Sequence, residues 1–200
     1  DVCSSDLMDE KDANDNLTGK RVTTSDYASA NYYYVNKSSL PKVYGGFNTS
    51  LSWKGFDLSA IFAYSIGGYI YNRDITMILH NGSLEGRDWS TEILKRWTPE
   101  NRYTDVPALS TTSNNWNSAS TRFLQNNSYM RLKNLTLSYD LPKQWISKLA
   151  LSSVQVFVQG DNLFTIHRNQ GLDPEQGITG ITYYRYPAMR TISGGINLSF

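Results

Sequence analysis

The sequence predicts an all-β chain: the last five strands only of a transmembrane antiparallel β-barrel, with long extracellular loops. Three observations predict it. Five segments alternate apolar and polar residues over about ten positions, the length that crosses a bilayer at a tilt, whereas globular strands average about five or six. Their connections alternate short and long, which is the turn-and-loop asymmetry of outer-membrane barrels. Aromatic residues collect at the strand ends beside the short connections, where a ring meets apolar chain and its polar tip meets water. Alternation alone also fits a soluble β-sandwich. A sandwich has no reason to place every long loop at one end.

The elements follow in chain order. Asp1–Leu7 reads as translated sequencing adapter rather than protein and is set aside, taking with it Cys3, the only cysteine of the 200 residues. The natural start is then missing, so the lack of a leader says nothing about location. Residues 8–42 form an extracellular loop region: Asp9–Ser39 is polar, with no sustained period. From Val43 to Trp53 the odd positions Val43, Phe47, Leu51 and Trp53 alternate with Tyr44, Asn48, Ser50 and Ser52. Lys54-Gly55 suits a tight hairpin, after which Phe56, Leu58, Ala60, Phe62, Tyr64 and Ile66 alternate with Asp57, Ser59, Ile61, Ala63 and Ser65. Gly67–Asn127 breaks the pattern for 61 residues, with one short helix expected from Asp88, placing Trp89, Ile93 and Trp97 on one face and stopping near Pro99.

Tyr129–Asp140 is the third strand, and its phase slips, so a β-bulge is expected near Lys133 and Asn134. The turn runs from Leu141-Pro142 to Lys148. Leu151–Phe164 is the fourth strand and Thr191–Phe200 the fifth, with a second long loop between them. Trp53, Phe56, Tyr139, Trp145 and Phe200 gather at the short-turn end; Tyr44, Tyr64 and Tyr69 are the candidates for an opposite girdle. Five strands do not close a barrel, whose even counts begin at 8. With short turns facing the periplasm, the last strand runs inward. Ile192, Gly194, Ile196, Leu198 and the terminal Phe200 then look like a barrel-assembly signal, or simply like one face of a last strand.

Composition excludes several function classes. The net charge is +1 with Lys and Arg scattered, so no basic stripe points to nucleic acid. The longest apolar run, Ala60–Tyr64, is far short of the roughly 20 residues of a membrane helix. His80 and His167 stand far apart with no nearby cysteine, so no metal site is read. Asp12, Asn14 and Asn16 have EF-like spacing, but the loop glycine and the bidentate Glu are missing, with Thr23 in the Glu position. No nucleophile elbow, zinc-protease motif, P-loop or dinucleotide fingerprint occurs, so no catalytic residue, cofactor or enzymatic role is expected.

Several segments, in this order, carry a family resemblance. They are Lys54-Gly55-Phe56-Asp57-Leu58-Ser59, Gly67-Gly68-Tyr69-Ile70-Tyr71-Asn72, Arg96-Trp97-Thr98-Pro99-Glu100-Asn101, and Arg122-Phe123-Leu124-Gln125-Asn126-Asn127-Ser128-Tyr129-Met130-Arg131-Leu132-Lys133-Asn134-Leu135. Asp161-Asn162-Leu163-Phe164-Thr165, Gly171-Leu172-Asp173-Pro174-Glu175 and Gly194-Gly195-Ile196-Asn197-Leu198-Ser199-Phe200 follow. From Val43 onward the chain thereby resembles the C-terminal barrel region of the SusC/RagA family of TonB-linked outer-membrane transporters. The resemblance implies residues 43–200 as the C-terminal part of a TonB-dependent receptor barrel in the outer membrane of a Gram-negative bacterium. It also implies import of oligosaccharides, peptides or similar nutrients. The implied partners are outer-membrane lipid, a SusD-like surface lipoprotein, TonB through an N-terminal part not present here, and the barrel-assembly machinery. A passive porin and a soluble carbohydrate-binding sandwich are the alternatives.

Two groups of side chains are candidates for nutrient contact. Trp89, Trp97, Trp116, Tyr183 and Tyr184 fall in the long loops, where they either stack on a nutrient or pack the loops and the lipoprotein. Asp57, Gln155, Gln159, Asp161 and Asn197 fall on the lumen side, where they either line the solute path or hydrogen-bond the plug and water. Gly171–Glu175 reads as a structural turn, with Pro174 fixing its angle and Asp173 bonding backbone beyond it.

Overall fold

A computed structural model describes residues 7–24, 26–32, 34–82, 84–110, 115–146, 151–169, 171, 173–175 and 179–200. The adapter reading of Asp1–Leu7 therefore lies outside the described residues except at Leu7. In chain order the strands are β1 (Leu7–Lys11), β2 (Leu17–Thr23), β3 (Pro41–Trp53), β4 (Phe56–Gly67), β5 (Tyr69–Asn72), β6 (Leu124–Asn126), β7 (Tyr129–Asp140), β8 (Ser153–His167), β9 (Ile181–Thr182) and β10 (Thr191–Ser199). Two short helices are α1 (Arg73–Ile78) and α2 (Lys143–Ile146). The chain divides into two compact units. A sheet unit comprises Ser38–Tyr69, Asn126–Ile178 and Arg185–Phe200; a loop unit comprises Asp1–Lys37, Ile70–Gln125 and Thr179–Tyr184.

The sheet unit is a five-stranded antiparallel meander of order β10-β8-β7-β4-β3, open at both edges. The five long strands are those expected from the alternation, with ends shifted by up to three residues. Lys54 and Gly55 form the β3–β4 turn with φ of 48° and 86°, the left-handed pair that matches strand twist in a two-residue hairpin. Only glycine is relaxed at the second position, and a Cβ there would meet the Asp140 carbonyl at 3.1 Å. Gly55→Val is accordingly expected to cost about 1–2 kcal/mol, read as a lower urea midpoint for the refolded barrel.

The bulge is present and doubled. Adjacent Ile61 and Phe62 of β4 pair with Asn134 and Leu132, so β7 carries one extra residue, Lys133. Asn134 and Leu132 in turn pair with Asp161 and Phe164, so β8 carries another, and Asn162 there has φ 52°. Two successive extra residues restore the phase, so each face of the sheet stays chemically uniform across the slip.

Cross-strand register sorts the side chains onto two faces. On one, Phe47 pairs with Phe62 and Phe62 with Leu132; Leu51 pairs with Leu58, Leu58 with Leu137, Leu137 with Val158, and Val158 with Gly194. Val43, Phe47, Leu51, Leu58, Leu137, Val158, Ile192, Ile196 and Leu198 of this face are all exposed. On the other face lie Asn48, Ser50, Asp57, Ser59, Asn134, Thr136, Gln155, Gln159, Asp161 and Asn197, with Ile61, Ala63 and Phe157 as apolar exceptions. Phe157 lies over Gly195, where a Cβ would come within 2.8 Å of its ring, so only glycine fits beneath it.

Ile192, Gly194, Ile196 and Leu198 sit on the apolar face, opposite Gly160, Val158, Val156 and Val154. Phe200 follows the strand and is 90% exposed. At the short-turn end Trp53 pairs with Phe56, and the rings of Phe56 and Tyr139 lie 4.4 Å apart. The proposed opposite girdle needs correction: Tyr64 is on the apolar face, but Tyr44 pairs with Ser65 on the polar one.

Two loop expectations are also corrected. Residues 9–39 are not irregular throughout, because β1 and β2 form a hairpin whose turn is built by Asp12, its carboxylate accepting the Asn14 and Asn16 N–H groups at 2.8 and 2.9 Å. That carboxylate serves the turn, which accounts for the spacing that resembled a calcium loop. The helix expected from Asp88 is a 3-10 turn, Thr91–Lys95, capped by Ser90, and neither Trp89 nor Trp97 is in it. The Trp97 N–H donates to Val106 and the Asn101 side chain takes the Lys95 and Arg96 carbonyls, so no further helical turn forms.

Candidate functional site

The polar face of the sheet unit is a connected ladder rather than a set of isolated groups. Asn134 Nδ2 donates to Asp161 Oδ1 at 2.8 Å, Gln159 Nε2 reaches both Asp161 oxygens at 3.2 Å, and the Thr136 hydroxyl donates to Asn134 Oδ1 at 2.9 Å. Nearer the short turns, Asn197 Nδ2 donates to Gln155 Oε1 at 3.1 Å and Gln155 Nε2 to Asp140 Oδ1 at 3.0 Å. Gln159 and Asp161 are thus brought together. Asp57 is not with them; it faces Ser138 across the sheet and accepts the Ser52 hydroxyl. The wall offers amides, hydroxyls and carboxylates suited to hydrogen-bonding polar solutes. Among the described residues no group of three His, Cys, Asp or Glu is placed to hold a metal.

Above this ladder the 173–175 segment is fastened onto β7 by charge. Arg131, with its side chain 4% exposed, donates Nη2 to Asp173 Oδ1 at 2.5 Å, Nη1 to Glu175 Oε2 at 2.8 Å and Nε to the Thr165 hydroxyl at 2.8 Å. Asp173, 5% exposed in its side chain, also accepts the backbone N–H of Glu175 at 2.9 Å and of Ala188 at 2.6 Å. The bulge residue Lys133 takes both Glu175 oxygens at 2.9 and 2.8 Å. Burial pushes the Asp173 carboxyl up, but the Ala188 N–H, Arg131 and the Glu175 N–H outweigh it and hold its pKa below the usual carboxylate value. Next to this latch, Asn127 Nδ2 donates to the Pro174 carbonyl at 2.9 Å and its Oδ1 accepts Asn169 Nδ2 at 2.9 Å. Gly67 N–H donates to Ser128 Oγ at 2.9 Å.

Sequence reading identified Gly171–Glu175 as a turn, and Asp173 does bond backbone beyond it. It missed that Arg131 and Lys133 are its charge partners. The signal was present, because oppositely charged residues stood in two segments of the resemblance; the pairing needs a register that spacing alone does not supply.

In the loop unit the five candidate aromatics do not converge on one point. Trp89 stands edge-on to buried His80 at 5.2 Å. The Arg122 guanidinium lies 3.2 Å over the Trp116 ring. Trp97 is 45% exposed. Only Tyr183 and Tyr184 form a pair, with ring centroids 4.0 Å apart. Arg73 lies 4.8 Å over the Tyr183 ring, and the Tyr184 N–H donates to Asp74 at 3.0 Å. Tyr184 has φ 49°, a strained left-handed backbone for a bulky residue that the Asp74 contact holds in place.

No family model matches the chain. It is 33% identical over 166 residues to TonB-dependent receptor P3 of Formosa agariphila, covering 78% of this chain and 16% of that protein. It is 27% identical over 168 residues to TonB-dependent receptor SusC of Bacteroides thetaiotaomicron, covering 84% of this chain and 16% of that protein. Its fold superposes on the structure of the RagAB peptide transporter with a TM-score of 0.78 and 35% identity, over 96% of this chain and 20% of that one. The chain belongs to the SusC/RagA family of TonB-dependent receptors. It is a stretch of the receptor barrel, and its unclosed sheet is what a part of a barrel presents. The family lives in the outer membrane of Gram-negative bacteria, and its relatives are receptors and transporters, in keeping with a chain that carries no catalytic motif.

Proposed function

We propose that this chain is the C-terminal part of the barrel of a TonB-dependent nutrient importer, with residues 8–42 among its external loops. The observation that carries the reading is the two-faced sheet: a continuous exposed apolar face backed by a hydrogen-bonded polar ladder, in a chain of SusC/RagA membership. Likeness to the RagAB peptide transporter supports peptides as cargo; oligosaccharides or similar nutrients, and a SusD-like lipoprotein as the surface partner, are read from membership of the SusC/RagA family. In this reading Gln159 and Asp161 line the solute path and Asp57 its periplasmic end. Tyr183 and Tyr184 are the loop aromatics best prepared for stacking, because strain and two contacts already fix them; Trp89, Trp97 and Trp116 serve mainly to pack the loops.

The test is uptake by cells carrying the full-length receptor, with and without TonB. Loss of uptake without TonB is expected; uptake that persists would make the protein a passive porin. Tyr184→Ala is expected to weaken nutrient affinity about tenfold, the worth of one aromatic contact of about 1–1.5 kcal/mol, with receptor abundance unchanged.

A further inference from the structure

A recess lies wholly within the loop unit, and none of Trp89, Trp97, Trp116, Tyr183 and Tyr184 lines it. It is a cavity of about 310 Å³ between residues 27–32, Val35, Tyr71 and the 119–124 segment. We propose that it binds an uncharged apolar ring carried by a ligand. Three observations carry this. Among the described residues no charged side chain lines it; Tyr27, Tyr32, Tyr71, Val35 and Leu124 supply most of its wall.

Two of its polar side chains are engaged in building it: Tyr27 donates its hydroxyl to the Ala119 carbonyl at 2.7 Å, tying the two walls, and Asn31 Nδ2 donates to Asp9 at 2.6 Å. The walls are also fixed in advance. Asp26 caps the 3-10 turn at Tyr27–Ser29, accepting the Ala28 N–H at 3.0 Å and the Ser29 hydroxyl at 2.5 Å, and the Tyr71 ring stands edge-on to Phe123, 1% exposed, at 6.2 Å.

A preformed recess with a largely apolar wall and no charged lining side chain rewards apolar area and offers little to a charged group. Its size, at the lower end of ligand pockets at roughly 300–1,000 Å³, suits one ring rather than a whole oligomer. Its use in import rests on the reading above, whereas its occupancy does not.

The probes are N-acetyl-L-tryptophanamide and N-acetylglycinamide, which share backbone amides and differ in the ring, titrated against the full-length receptor in detergent by calorimetry. The expected result is saturable binding of the tryptophan amide and none of the glycine amide. Ala119→Trp, which fills the cavity from an exposed position, is expected to weaken binding at least tenfold. Val35→Lys does the same by placing a charge there, and serves if the first variant misfolds. No binding of the tryptophan amide, equal binding of both amides, or binding that survives both cavity variants would overturn the proposal. Ring binding by a receptor whose uptake ignores TonB would instead sink the import reading and leave the cavity standing.

Discussion

Replacing Arg131 by Met is expected to destabilise the sheet unit by about 3–5 kcal/mol, the penalty for stripping one partner from a buried ion pair. Arg131 and Asp173 expose only 4% and 5% of their side chains, so the carboxylate left behind has little water to replace the guanidinium. It would keep the Glu175 and Ala188 N–H groups, which places the cost toward the lower end of that range. Glu175 would keep Lys133, so the segment would loosen at Asp173 first.

Two readouts separate this from a general loss of fold: the urea midpoint of the full-length receptor, and the rate of proteolytic nicking between residues 168 and 190. An unchanged nicking rate in a folded variant would show that the latch holds nothing. The pH dependence has a definite sign. Asp173 is depressed in the folded state, so its contribution is fully present above the unfolded carboxylate pKa of about 3.9 and disappears as pH falls through the lower folded value. Acid should therefore release the segment in the parent protein, and change its nicking less in Arg131→Met, where the pair is already broken.

How much of this was legible in sequence depends on whether a feature is periodic or relational. Strand identity, facing and the bulge are periodic: Leu132 and Leu135 sit on opposite parities, and that mismatch alone placed the slip at Lys133 and Asn134. The second bulge, at Asn162, left no such trace, because it restores the phase the first one breaks. The loops resisted reading because their order comes from capping and long-range hydrogen bonds rather than hydrophobic period. Asp12 closing the β1–β2 turn produced an EF-like spacing with no metal loop behind it, and Asn101 and Val106 cut short a helix that spacing favoured. The candidate site divides the same way. Gln159 and Asp161 fall together because two residues along one strand share a face. Arg131 and Asp173, 42 residues apart, meet only through the folded register.

The facing assignment makes the second large prediction, a comparison of two adjacent residues midway along β3. Phe47 and Asn48 differ by one position, and Phe47 is 47% exposed. Phe47 belongs to the apolar face, stacked on Phe62 at 4.7 Å, and Asn48 to the polar face, opposite Ile61. If the apolar face meets lipid, Phe47→Arg puts a charge at the bilayer midplane, at a cost of about 2–4 kcal/mol, plus the loss of the ring pair. Asn48→Arg puts the same charge into the lumen and should cost under about 1 kcal/mol, as for a surface substitution.

Leu58→Arg, between midplane and the hairpin end of the strand, should fall between them, because the penalty declines from about 2–4 kcal/mol at midplane toward about 0–1 kcal/mol at the interface. Folding of the full-length receptor into lipid vesicles, followed by urea titration, gives all three values. A soluble sandwich burying this face would also resist Phe47→Arg, but would show no dependence on depth. The ordering Phe47 above Leu58 above Asn48 thus identifies lipid, rather than a second protein layer, as what covers the apolar face.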